Sequence, residues 1–203
     1  MKGTIVLNLL YLIIPVLLLQ ACTQNKENKQ IFVNDYLNVI KEIKNRSNVI
    51  KKGSEAIIAY RKSGFMDVDN AEIAKNAFIE GIKLDSISLL HLNSIKKPDI
   101  RTEEIVNEIS AGLTSVMNGN ALFASNYSKA KFQNIEERKE TILIFRPGMR
   151  FLAEGLNSLV SSITKLQVYI KENNLNGGEE LADSYKQFKN ERDNTAAFLT
   201  PGR

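Results

Sequence analysis

Apolar residues recur at alternating steps of three and four along most of the chain, a spacing that one face of an α-helix produces. In DYLNVIKEIKNRSNVIKKGSEAIIAYRK (35–62), the residues Tyr36, Ile40, Ile43, Ser47, Ile50, Ser54 and Ile57 form one such stripe. Its serines are small enough for a neighbouring helix to come close. Lys41, Lys44, Lys51 and Lys52 fall off the stripe and read as a solvated face. The cleanest repeat lies further on, at Leu152, Leu156, Leu159, Ile163, Leu166 and Ile170.

Punctuation between the stripes divides the chain into helices. SGFMD (63–67) interrupts the first, and Asp69 with Glu72 reads as a capping box that opens the second. That second helix carries Ile73, Ala74, Ala77, Phe78, Ile82, Leu84, Ile87, Leu90 and Ile95. Its wide apolar arc predicts the most buried helix of the protein. Lys96 and Lys97 suit its C-terminal dipole, and Pro98 stops it. Thr102, followed by Glu103 and Glu104, opens the third helix. Ile105, Ile109, Val116 and Phe123 hold its stripe, with Gly112 and Gly119 between them. The third segment is predicted to run to about Ile135, with EERKETILIF (136–145) as its continuation. Pro147 is then read as the first-turn proline of a fourth helix. NNLNGG (173–178) ends that helix, and a more polar one follows with Leu181, Tyr185 and Phe188 on one face. The short connections favour antiparallel neighbours. The expected fold is all-α, an antiparallel up-down bundle of four long helices plus a shorter fifth C-terminal helix, occupying residues 31–203.

The chain of 203 residues is one domain in length, and 43% hydrophobic residues suffice for a sizeable core. Its net charge of +4, from 27 basic and 23 acidic residues, is small and scattered, so no nucleic-acid partner is expected. A single cysteine excludes a disulfide framework and any multi-cysteine metal site. His91 is the only histidine, and Ser88 stands three residues before it where a di-iron bundle needs glutamate. His91 is read as a partly buried structural residue. Asp67 and Asp69 begin like a calcium loop, but Glu72 stands where the turn needs glycine and Phe78 where a bidentate glutamate belongs. No nucleophile motif, phosphate loop or dinucleotide fingerprint occurs. The expectation is a protein that is not an enzyme, with no catalytic residues, cofactor or metal. TILIFRPGMRF (141–151) is the one stretch that suggests a contact surface, around Arg146 and Arg150. The other reading is that Ile142, Ile144, Phe145 and Phe151 close the end of the core.

The beginning of the chain has a different character. Lys2 precedes IVLNLLYLIIPVLLL (5–19), which is shorter than the roughly 20 residues a membrane-spanning helix requires. The run ends at Leu19-Gln20-Ala21-Cys22 and gives way to the polar TQNKENKQ (23–30). These residues resemble the lipobox of bacterial lipoproteins, although Gln20 is larger than the usual residue there. The resemblance covers the first 22 residues and implies a signal peptide over 1–21, cut by signal peptidase II between Ala21 and Cys22. It further implies diacylglycerol on the Cys22 sulfur and often a third acyl chain, palmitate for example, on the new amine. Each buried methylene contributes about 0.8 kcal/mol, so several chains hold a protein at a membrane where one does not. Residues 22–30 are then the lipidated cysteine and a flexible tether. Thr23, where inner-membrane retention uses aspartate, points to the outer membrane and a domain facing the periplasm. The expected protein is therefore an envelope lipoprotein, non-catalytic, whose bundle binds a protein or cell-wall partner. The alternative is a small-ligand carrier, with Gly81, Gly112, Gly119, Ser47 and Ser54 leaving a cavity in the bundle interior.

Overall fold

The computed structural model describes residues 3–63, 68–126 and 134–199. Among these described residues there are five helices: α1 (Gly3–Lys62), α2 (Val68–Ser94), α3 (Ile100–Asn126), α4 (Ile135–Glu172) and α5 (Gly178–Leu199). Among the described residues there is no strand, and the fold is an all-α helical bundle. Successive helices pack side by side, and α5 returns to touch α1. Along α1 and α2 the partners run in opposite order: Glu42 meets His91, Arg46 meets Asp85, and Gly53 meets Ala77. The same reversal holds for α3 and α4, where Gly112 faces Gly155 and Gly119 faces Gly148.

Those two glycine pairs bring α3 and α4 close together. A Cβ at Gly155 would stand 2.6 Å from the Gly112 carbonyl oxygen, and one at Gly119 would stand 2.8 Å from that of Gly148. Both pairs recur after seven residues, two helical turns, so α3 and α4 touch backbone to backbone at two levels of one seam. Gly81 is filled in the same way: a Cβ there would meet the Ile50 Cδ1 at 2.7 Å. The glycines that the carrier reading assigns to a cavity are thus occupied by neighbouring chain. Ser47 is buried, and the side chain of Ser54 lies outside the described residues.

The core is uneven. Phe32, Tyr36, Ile40 and Ile43 of α1 pack with Ile105, Ile109, Leu113 and Val116 of α3 and with Leu156, Leu159, Ile163, Leu166 and Ile170 of α4. Leu181 and Phe188 of α5 close this half. The heptad of α4 and the α5 face named from the sequence are therefore where they were expected, with Tyr185 packed at the margin. Towards the other end the buried residues shrink to Ala56, Ala74 and Ala77, beside an aromatic stack of Phe78, Phe123 and Phe145 with centroids 5.3 and 5.1 Å apart. Helix α5 has 22 residues against 38 in α4. Starting beside the end of α4, it covers roughly the last twenty residues of that helix and no more.

Several expectations are corrected. Helix α2 is not the most buried: Ile73, Ile79, Ile87 and Leu90 are exposed, while Asp85 and Ser88 face inward. Its apolar arc was too wide to specify a face, and the neighbours chose the face that carries small residues. Asp69 lies inside the first turn of α2, which begins at Val68, so it does not cap from outside; residues 64–67 lie outside the described residues. Helix α3 opens at Ile100, two residues before Thr102. Asp99 is the cap, its Oδ1 accepting from the Thr102 N–H at 3.0 Å while its own N–H donates to Thr102 Oγ1 at 3.2 Å. Helix α3 is described as far as Asn126, and the stretch 127–133 of its expected run to Ile135 lies outside the described residues; Asn134 is extended, so α3 does not continue into 136–145. Asn134 caps α4, accepting from the Glu137 N–H at 2.9 Å, so residues 136–145 belong to α4 and Pro147 lies in its interior. An interior proline costs about 3 kcal/mol. The glycine seam and its flanking contacts on α3, including a hydrogen bond from Ser115 Oγ to the Phe151 carbonyl (2.8 Å), hold the helix across that break.

The seam generates a clear expectation. Gly112→Ala or Gly155→Ala gains up to about 1 kcal/mol of helix propensity. Each also drives a methyl into a backbone carbonyl that cannot swing aside, and overpacking of this kind costs about 1–3 kcal/mol. The double variant should melt several degrees below the parent chain in far-UV circular dichroism. Gly178→Ala, whose Cβ meets nothing closer than Ile170 Cγ2 at 3.9 Å, should not.

Candidate functional site

Ala21 and Cys22 lie in α1, which continues without a break into the bundle; their side chains lie outside the described residues. The polar stretch 23–30, expected as a flexible tether, is helical throughout. Its Gln, Asn, Lys and Glu side chains bury nothing by themselves, but most of these residue types tolerate a helix well. A formed helix after them makes continuation inexpensive. Lys29 Nζ donates to Asn173 Oδ1 at 2.8 Å, and Gln30 exchanges hydrogen bonds with the backbone of Asn176 at 2.9 and 3.3 Å. The bundle therefore begins at Lys29, two residues before Ile31.

These contacts belong to a polar cluster at the end of the bundle nearest Cys22. The Tyr169 ring lies between two cations, Lys29 Nζ at 5.9 Å and the Arg101 guanidinium at 5.6 Å from its centroid. Its hydroxyl donates to Asp99 Oδ2 at 2.9 Å. Partial burial pushes the Asp99 carboxyl upward, but the Thr102 and Tyr169 hydrogen bonds and the Lys29 charge outweigh it and hold the group below the usual carboxylate range. Burial and the Asp99 carboxylate together keep the Tyr169 hydroxyl protonated far above the ordinary phenol range. The backbone of the α4–α5 connection supplies the turn, with Asn174 at φ 51° and Gly177 at φ 109°, as NNLNGG foretold.

A second feature is a shallow groove of about 350 Å³ on α4, lined by Leu143, Arg146, Pro147, Arg150, Phe151 and Glu154. It falls on the stretch that the sequence offered either as a contact surface or as the closure of the core. Phe145 does close the core, stacked on Phe123, while Leu143 (63% exposed) and Phe151 (37%) face outward. Ile144 is half-buried, and the side chain of Ile142 lies outside the described residues.

The third feature was missed from the sequence. Arg46 of α1 and Asp85 of α2 are buried together, with Arg46 Nε 3.1 Å from Asp85 Oδ1 and Glu191 of α5 at 4.0 Å from the same guanidinium. The approach lies off the hydrogen-bonding direction, so the attraction is that of two charges rather than of an aligned pair. Burial pushes the Asp85 carboxyl up to about 6; Arg46 restrains the rise and Glu191 adds to it. One turn away, Glu42 meets His91 Nδ1 at 2.9 Å and accepts from Ser88 Oγ at 3.4 Å. His91 is 53% exposed at its side chain, so its expected partial burial is corrected: it sits on the rim, held by a carboxylate. A warning of the pair was present in the sequence, since Arg46 precedes Ser47 of the stripe and Asp85 follows Leu84. Charge alone, however, does not distinguish a buried position from a solvated one.

Among the described residues, no helix is long and apolar enough to cross a membrane. Compared with known proteins, the chain matches no family model, no curated protein and no solved structure.

Removing one member of a buried pair strands the other, at a cost of about 3–5 kcal/mol, whereas replacing both by apolar residues of similar volume is close to neutral. Asp85→Ala should thus destabilise strongly, and Arg46→Met with Asp85→Leu should recover most of the loss in chemical denaturation. The pH dependence has a definite sign. The folded-state value of about 6 exceeds the ordinary 3.8, so the folded state holds this proton more tightly. The stability contributed by Asp85 is complete below about pH 4 and is lost as pH rises through about 6. Asp85→Asn should remove that slope.

Proposed function

We propose that this chain is a lipid-anchored lipoprotein of the bacterial envelope, non-catalytic, whose helical bundle binds a protein or cell-wall partner. The observation that carries the reading is the junction itself: an apolar run of signal-peptide length ending at Leu19-Gln20-Ala21-Cys22, with the chain's only cysteine in register. Cleavage between Ala21 and Cys22 discards the apolar run, and acyl chains on the Cys22 sulfur replace it as the anchor. Two or three long chains suffice for stable attachment where one is marginal. Thr23 after the cysteine favours the outer membrane, facing the periplasm.

The geometry of α1 supports a particular presentation. Seven residues separate Cys22 from Lys29, about 10 Å along a helix axis. The end of the bundle formed by residues 95–99 and 173–177 then faces the headgroups, and the end formed by the beginning of α4 points away. A partner-binding role draws its support from the outward groove on α4, which offers apolar and cationic side chains to solvent.

Cys22→Ser should abolish acylation and leave residues 1–21 attached, with the circular dichroism of the bundle unchanged, because Cys22 precedes the first bundle contact at Lys29. Mass spectrometry of the parent protein from membranes should find residue 22 at the N-terminus carrying acyl mass. A free thiol at Cys22 with residues 1–21 retained would sink the anchor and the localisation together.

A further inference from the structure

We infer that the outward stripe of α4 from Leu143 to Glu154 docks an acidic peptide segment of a partner protein, one that carries an apolar side chain between its carboxylates. This deepens the partner-binding reading above and rests on it. The six lining residues fall on two parallel ridges of one helix face. Leu143, Pro147 and Phe151 form an apolar ridge at steps of four, and Arg146, Arg150 and Glu154 form a charged ridge at the same steps. The same face of α4 stays exposed further along, at Asn157, Thr164 and Val168, so the stripe belongs to the solvent side of the helix.

Charge selects the occupant. Arg146 and Arg150 stand one turn apart, and among the described residues neither has an ion-pair partner, even though Glu154 follows Arg150 at a spacing that often pairs. Two like charges so placed repel each other, and carboxylates from a partner relieve that repulsion while binding the guanidinium forks. The apolar ridge beside them exposes Leu143 and Phe151, enough to seat one aliphatic or aromatic side chain.

Position excludes the membrane that holds the anchor. From Glu172 back to Arg150 and Arg146 the helix rises about 33–39 Å, and the stretch from Lys29 to Cys22 adds about 10 Å. The stripe lies well beyond the headgroups of the anchoring leaflet. It is also shallow and built from a single helix, which suits a peptide laid along it better than an enclosed small molecule.

The test uses the intact lipidated chain in detergent and two labelled synthetic peptides. One places glutamates four residues apart around a leucine; the other replaces every glutamate by glutamine. Fluorescence anisotropy should show saturable, salt-sensitive binding of the glutamate peptide only. Arg146→Gln with Arg150→Gln, both at the surface, should weaken it roughly tenfold, as expected for losing two partly exposed ion pairs. Phe151→Ala should weaken it less. No saturable binding of the glutamate peptide, equal binding of the glutamine peptide, or an unchanged affinity in the double variant would each overturn the proposal. So would tighter binding, through the same arginines, of phosphatidylglycerol mixed into the detergent micelles than of the glutamate peptide. The peptide comparison needs no variant, so a folding defect cannot obscure the result. Failure here leaves acylation at Cys22 untouched, and an unmodified Cys22 leaves the peptide affinity as it was, so the two readings fail separately.

Discussion

The backbone contact between α3 and α4 is the constraint on which the other packing depends. Gly112 and Gly119 face Gly155 and Gly148 with no side chain between them, and the repeat of seven fixes both the register and the separation of the two helices. Once that register is set, Leu156, Leu159 and Ile163 lie level with Ile109, Leu113 and Val116, and the heptad has a partner. The same contact explains how α4 runs through Pro147. A proline removes one hydrogen bond from the helix, but the neighbouring turn is held against α3 by Gly148 and Gly119. The helix is continuous because its neighbour makes it so.

The two halves of the bundle use different physics. Near Cys22 the interior is a conventional apolar core closed by α5, with Tyr169 held between Lys29 and Arg101 at its rim. Beyond it the interior narrows to alanines, glycines and stacked aromatic rings, and Arg46 with Asp85 lies between the two regimes. A buried charge pair contributes little net stability, since desolvation offsets most of its attraction. It does penalise any sliding of α1 against α2, because a shift by one turn would separate the two buried charges. That penalty suits a helix pair whose contact residues are too small to fix register by shape.

The proposed anchor and the proposed docking stripe lie at opposite ends of this arrangement. Helix α1 leads from Cys22 straight into the bundle, tied at Lys29 and Gln30, so the orientation of the domain follows from helix geometry rather than from a loose linker.

The sequence by itself determined the class of fold, the heptad of α4, the inner face of α5 and the turn at residues 173–178. Period is a local property of the chain, and Asn174 and Gly177 are residue types that tolerate positive φ. It also singled out Arg146 and Arg150, since charges set among apolar residues at helical spacing are visible without coordinates. Only the tertiary structure decided which face of α2 turns inward. Its apolar arc exceeds half the helix surface, and Gly53 together with the Arg46 guanidinium requires Ala77 and Asp85 opposite them. Tertiary contact likewise carried α4 past Pro147, drew His91 to the rim beside Glu42, and fastened Lys29 and Gln30 to a connection more than a hundred residues away. Each of these outcomes depends on a neighbour distant in sequence. Local propensity sets which helices form, and the partner surface sets how each is turned and where it ends.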